Sequence, residues 1–153
     1  MPIAELNVGR SAHDLDDPRM AGFMDNLERI NALAERSPGF IWRYTDASGN
    51  ATDTKIGGDP RAILNLSVWE TMEDLEAYVF GTVHVQFYAR KAEWFEALDR
   101  PHFVMWEVET GHRPTVEEAL ARLEELRTTG PSARVFGWEA LPNAELWKSR
   151  RCA

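Results

Sequence analysis

Residues 3–9, IAELNVG, alternate: Ala4, Leu6 and Val8 share one side and Ile3, Glu5 and Asn7 the other, the two-residue period of a strand. Turn chemistry at 13–18, HDLDDP, gives way to Met20, Phe23, Met24, Leu27, Ile30 and Ala34 at helical spacing. This predicts an amphipathic helix that ends before Pro38-Gly39. Residues 40–45, FIWRYT, predict a second strand, and the polar stretch 46–60 a loop. The clearest alternation is in 62–69, AILNLSVW. Leu64, Leu66 and Val68 share one face, suited to packing under helices; Ile63, Asn65, Ser67 and Trp69 form a polar and aromatic face of another character.

Thr71 has the chemistry of a helix N-cap, with Glu73 and Asp74 in the first turn where the helix dipole favours acids. Met72, Leu75 and Val79 give this helix its apolar stripe, and Gly81 breaks it. A second helical piece carries Phe87, Trp94, Phe95 and Leu98. Residues 102–109 predict a fourth strand. Residues 114–131 predict a helix opened by a Thr115–Glu118 capping box and closed by Gly130-Pro131, and 133–138 a last short strand.

The order β-α-β-β-α-β, with an extra C-terminal helix and short strand, predicts an α+β, ferredoxin-like fold: an antiparallel sheet with helices on one face, in a single domain spanning 1–153. The other face would then stay open, carrying Trp69 and, from the second strand, Trp42 or Arg43. An open aromatic face needs a cover. A second copy packed sheet to sheet would provide one, so a homodimer with two enclosed cavities is expected.

The 153 residues suffice for one proper core, and 44% apolar with 27% charged is ordinary globular composition. A net charge of −8 argues against a nucleic-acid partner, and the basic run at 148–151 is too short to change that. One cysteine, Cys152, rules out an intrachain disulfide framework and disfavours a cysteine-based zinc site. With no signal-like start and no membrane-length apolar run, a soluble cytoplasmic protein is expected, without a membrane partner. Six Trp residues are a heavy load, and large aromatic side chains both fill cores and line pockets for flat ligands. No pair of His residues has the HExxH spacing; a glycine-rich phosphate loop and a G-x-S-x-G elbow are also missing.

The stretch SVWETMEDLEAYVFGTVHVQF (67–87), a strand ending in Trp followed by a helix with LEAY and then a His, resembles the dimeric α+β barrel superfamily, in particular relatives of the antibiotic biosynthesis monooxygenases. SPGFIWR (37–43), LSVWE (66–70), VHVQFYARKAEWF (83–95), GHRPTVEEALARLEELRTTGP (111–131) and RVFGWE (134–139) are similar to DUF3291, a family of unknown function. The superfamily includes cofactor-independent monooxygenases, haem-degrading enzymes, haem peroxidases and small isomerases or cyclases, and fold alone does not choose among them.

His84, beside the helix break, is the first candidate: an imidazole there can act as acid or base near neutral pH. The plain alternative is a half-buried His bonded to backbone. Asn65 and Trp69, four apart on one strand, face one side. The resemblance implies that the amide polarises a substrate oxygen and the indole walls the ring. It also implies a second set, Asn7, Trp69 and His84, after the haem-degrading relatives. Trp42, Arg43, Tyr78, Tyr88 and Trp106 are candidates for contacting a ligand; ordinary core or ion-pair roles are their alternatives. The expected function is a small enzyme acting on a flat aromatic or polyketide-like molecule, by cofactor-free oxygenation, proton transfer or cyclisation. No metal site and no cofactor are predicted. Haem held axially by His84 is the first alternative, and a non-catalytic ligand-binding or scaffold dimer the second.

Overall fold

The computed structural model describes residues 1–140 except residue 83, and only the backbone of Tyr88. The Tyr88 side chain, expected at a pocket wall, lies outside what is described, as do Cys152 and the basic run at 148–151.

Four antiparallel strands form one sheet: β1 (Ile3–Arg10), β2 (Phe40–Arg43), β3 (Ala62–Trp69) and β4 (Phe103–Glu107), in the order β2-β3-β1-β4. That order is the split βαβ arrangement the element sequence predicts. Helix α1 (Ala21–Arg36) joins β1 to β2, while α2 (Met72–Gly81), α3 (His84–Ala89) and α4 (Lys91–Trp94) join β3 to β4. Helix α5 (Val116–Thr129) follows. Thr71 and Thr115 are the N-caps of α2 and α5: their hydroxyls accept from the Asp74 and Glu118 amides at 3.0 and 3.1 Å. In place of a strand over 133–138, a single bridge pairs Phe136 with Met105, and a 3-10 turn covers Trp138–Ala140.

Both faces of the sheet are covered, which corrects the expectation of an open one. Trp69 and Ile3 pack with Ala34 of α1 and with Leu75, Tyr78 and Phe80 of α2. Leu6, Leu66, Val68 and Val104, on the opposite face, pack with Ala119, Leu123 and Leu126 of α5. The physical reason lies in chain handedness. Right-handed crossovers bring α1 and α2 to one side of the sheet. That side is the polar and aromatic one, whose mixed character reflects a chamber within the chain. The extra helix then seals the aliphatic side. The sheet face opposite the α1–α2 layer, where a second copy was expected to pack, carries α5.

Candidate functional site

A cavity of about 930 Å³ lies between the sheet and α1–α3 and reaches as far as Val8, Leu64 and, at the end of α5, Leu126 and Pro131; its size is within the range typical of small-molecule sites. Its floor comes from the two central strands. In the β1–β3 register Ile3 faces Trp69, Glu5 faces Ser67 and Asn7 faces Asn65. Because strand side chains alternate, these six residues share the cavity face. Glu5, Ser67, Asn7 and Asn65 thus form a polar square in the middle of a sheet. Cross-strand neighbours stand about 5 Å apart, and residues two apart along a strand about 6.7 Å.

The two halves of the square differ. Asn7 and Asn65 are exposed to the cavity, and their side-chain amides have no hydrogen-bond partner among the described residues. Glu5 and Ser67 are buried. Ser67 donates its hydroxyl to Glu5 Oε1 at 2.6 Å and accepts from Trp69 Nε1 at 2.9 Å. Burial drives the Glu5 carboxyl up to about 8, far above the ordinary carboxylate range; the hydrogen bond from Ser67 opposes this only in part. Glu5 is therefore mostly a neutral carboxylic acid at pH 7.

The indole of Trp69 leads on to the helical wall. Its ring stacks on Tyr78 with centroids 5.2 Å apart, and Tyr78 in turn lies 4.9 Å from the His84 ring. The Tyr78 hydroxyl donates to the Ile30 carbonyl of α1 at 3.2 Å. Burial, and then the negative charge of Glu5, hold this phenol well above its usual range. His84 opens α3 just past the break at Gly81. Its Nδ1 lies 3.2 Å from the Val79 carbonyl. A carbonyl can only accept, so Nδ1 carries the proton and Nε2 the lone pair. Burial lowers the His84 pKa, which the Val79 bond partly offsets, so the ring is neutral at pH 7 and basic at Nε2.

The structure thus gathers His84, Asn65, Trp69, Asn7, Arg43 and Tyr78 around one cavity. Arg43 reaches it because an irregularity in β2 between Phe40 and Trp42 sets Arg43 opposite Ser67 and Trp42 opposite Val68. Its guanidinium is already tied to Glu35 at 2.7 Å. Trp42 and Trp106 are corrections. Both pack against the α5-side core, on the far side of the sheet from the chamber. Trp106 is buried opposite Ala4 in register. Glu5 and Ser67 were missed as functional candidates. The signal for them was the alternation of the first strand, usable only once its pairing with the third was known.

Among the described residues, no group of three or more His, Cys, Asp or Glu side chains could hold a metal ion. For haem, one requirement has a counterpart: His84 Nε2 has no hydrogen-bond partner among the described residues, and Nδ1–H is fixed by the Val79 carbonyl, as the second ring nitrogen of a ligating histidine usually is. No helix among the described residues is long and apolar enough to cross a membrane.

No curated protein matches the sequence. Among solved structures the chain is similar to SnoaB, a cofactor-independent oxygenase from Streptomyces nogalater. That match has 13% identity and a TM-score of 0.51, and covers 76% of this chain and 98% of that one. It is also similar to NE2512, a protein of unknown function from Nitrosomonas europaea, at 16% identity and a TM-score of 0.50 over 74% and 95% of the two chains. A Chloroflexus aurantiacus protein assigned to the antibiotic biosynthesis monooxygenases matches at 21% identity and a TM-score of 0.46, over 74% and 98%. At these identities the likeness is one of fold, the ferredoxin-like one. At the level of sequence, residues 2–152 match the domain of unknown function DUF3291, and the chain belongs to that family.

Proposed function

We propose that the protein is an enzyme that binds a flat aromatic or polyketide-like molecule between its sheet and helices and removes a proton from it. Cofactor-independent oxygenation or cyclisation would follow. The observation that carries this reading is the convergence on one cavity of a neutral, basic imidazole, two unpartnered amides and a stacked indole–phenol wall. His84 Nε2 takes the proton. The Asn65 amide steadies the charge that develops on a substrate oxygen. Trp69 and Tyr78 hold the ring plane. A carbanion made in this way can react with O₂ directly, which is how oxygenation proceeds without a bound redox group. The description of SnoaB as cofactor-independent is compatible with this reading.

The test is oxygen uptake and product analysis with a panel of phenolic anthrones and naphthols. His84→Ala is expected to lower kcat by about 10²–10⁴-fold, the usual contribution of a general base. Failure of every panel member to bind or turn over, with H84A indistinguishable from wild type, overturns the proposal. The same Nε2, without a partner among the described residues, favours a second reading, haem ligated axially by His84. A Soret band on haem titration that disappears in H84A would establish it in place of the first.

A further inference from the structure

We propose that Glu5 is a carboxylic-acid hydrogen-bond donor of the cavity: Ser67 holds its Oε1, and Oε2–H is offered to a ligand oxygen above the Asn7–Asn65 pair. The ligand class is accordingly a flat ring bearing a carbonyl. The inference rests on the reading that the cavity takes a flat molecule, and it adds the polar group that selects among such molecules.

The geometry fixes the direction of donation. Oε1 already accepts a short bond from Ser67, whose own lone pair is taken by the Trp69 indole N–H. The acid proton of a neutral Glu5 therefore belongs on Oε2, which has no partner among the described residues. Glu5 lines the cavity although its residue surface is only 4% exposed. A ligand oxygen lying over the square meets this O–H from one corner and the two amides from the next row. Three donors brought to one oxygen form an oxyanion site. A buried carboxylic acid kept neutral is suited to that task because it adds no charge of its own.

The groups facing Glu5 leave it neutral. Tyr78 comes from α2, Arg43 from β2 and His84 from α3, and Arg43 is paired with Glu35. The α1 residues lining the cavity are uncharged, as are Phe103 and Met105 on the neighbouring strand. Lys91, Glu96, His102 and Glu139 stand around the rest of the wall. Burial, opposed only by the Ser67 bond, dominates the titration of Glu5.

The experiment compares 1-tetralone, which has a carbonyl and no titrating group, with tetralin, the same ring system without the oxygen. Binding is read by tryptophan fluorescence between pH 6 and 9. Wild type is expected to prefer 1-tetralone and to lose about tenfold in its affinity as pH rises past 8, with tetralin unaffected. Glu5→Gln keeps a donor and should retain the preference with no pH dependence. Glu5→Leu should lose the preference at every pH. In ligand-free protein the Trp69 indole N–H resonance should titrate near pH 8, and not in E5Q. Equal binding of 1-tetralone by wild type and E5L overturns the proposal, as does a pH-flat preference in wild type. Failure of both probes to bind overturns it together with the flat-ligand reading. A tetralone preference with the stated pH dependence, but no oxygen uptake on any substrate, overturns the oxygenation reading alone.

Discussion

At the scale of single residues, two buried groups set opposing pH dependences of stability. Glu5 is raised in the fold from its ordinary 4.5 to about 8, so folding takes up a proton between those values. Its contribution is complete below about pH 4.5 and is lost as pH rises through 8. His84 is lowered from its ordinary 6.5, so its contribution is present above that value and is lost as pH falls through its folded pKa. Thermal unfolding should resolve the two. The Tm advantage of E5Q over wild type is expected to grow from pH 5 to 8.5, and that of H84Q to grow from pH 7 down to 5. A constant difference across either range would contradict the assignment. That Asn65 and Trp69 share one face was legible in the sequence, because strand parity sets it, and His84 stood out by residue type beside the break at Gly81. Glu5 was not legible, since a Glu alternating with apolar residues reads as a solvent position until the opposing strand and the overlying helices are in place.

At the scale of elements, the turn between α1 and β2 carries more than its length suggests. Gly39 has φ 81°, and a Cβ there would run into the Asp74 side chain in the first turn of α2. Its carbonyl also accepts from the Glu70 amide at 2.7 Å. The Thr71 hydroxyl donates to the same Asp74 carboxylate at 2.9 Å. The start of α2 thus sits directly on this turn, and α2 positions Tyr78 and the break before His84. Gly39→Ala is expected to cost at least about 1–2 kcal/mol for the left-handed backbone alone. Urea denaturation measures this, and a neutral result would mean that the turn can rebuild. The helix, its stop and the next strand were all readable from Pro38-Gly39. The contact with Asp74 was not, because no local pattern encodes which helix N-terminus lies over a turn.

At the scale of the whole molecule, the two faces of the sheet differ in character. The polar square lies under α1–α3, and an aliphatic core lies under α5. Leu123, 1% exposed and absent from the cavity wall, belongs wholly to the second. Leu123→Ala should cost about 2–5 kcal/mol of stability, and while the variant is still folded, its affinity for 1-tetralone should equal that of wild type. A parallel loss of affinity would show the faces to be coupled. The four strands and helices α1, α2 and α5 followed from sequence periodicity, since each declares its own period; the single helical piece expected after Gly81 is two, α3 and α4, and the last strand is only a bridge. The assignment of helices to faces did not follow, because it depends on crossover handedness and on where a fifth helix finds room.

The position of α5 bears on how copies of this chain can meet. A second copy that meets this chain on the aliphatic side of the sheet meets α5 there, and not bare strands. The chamber's floor and its helical wall are both supplied by one polypeptide.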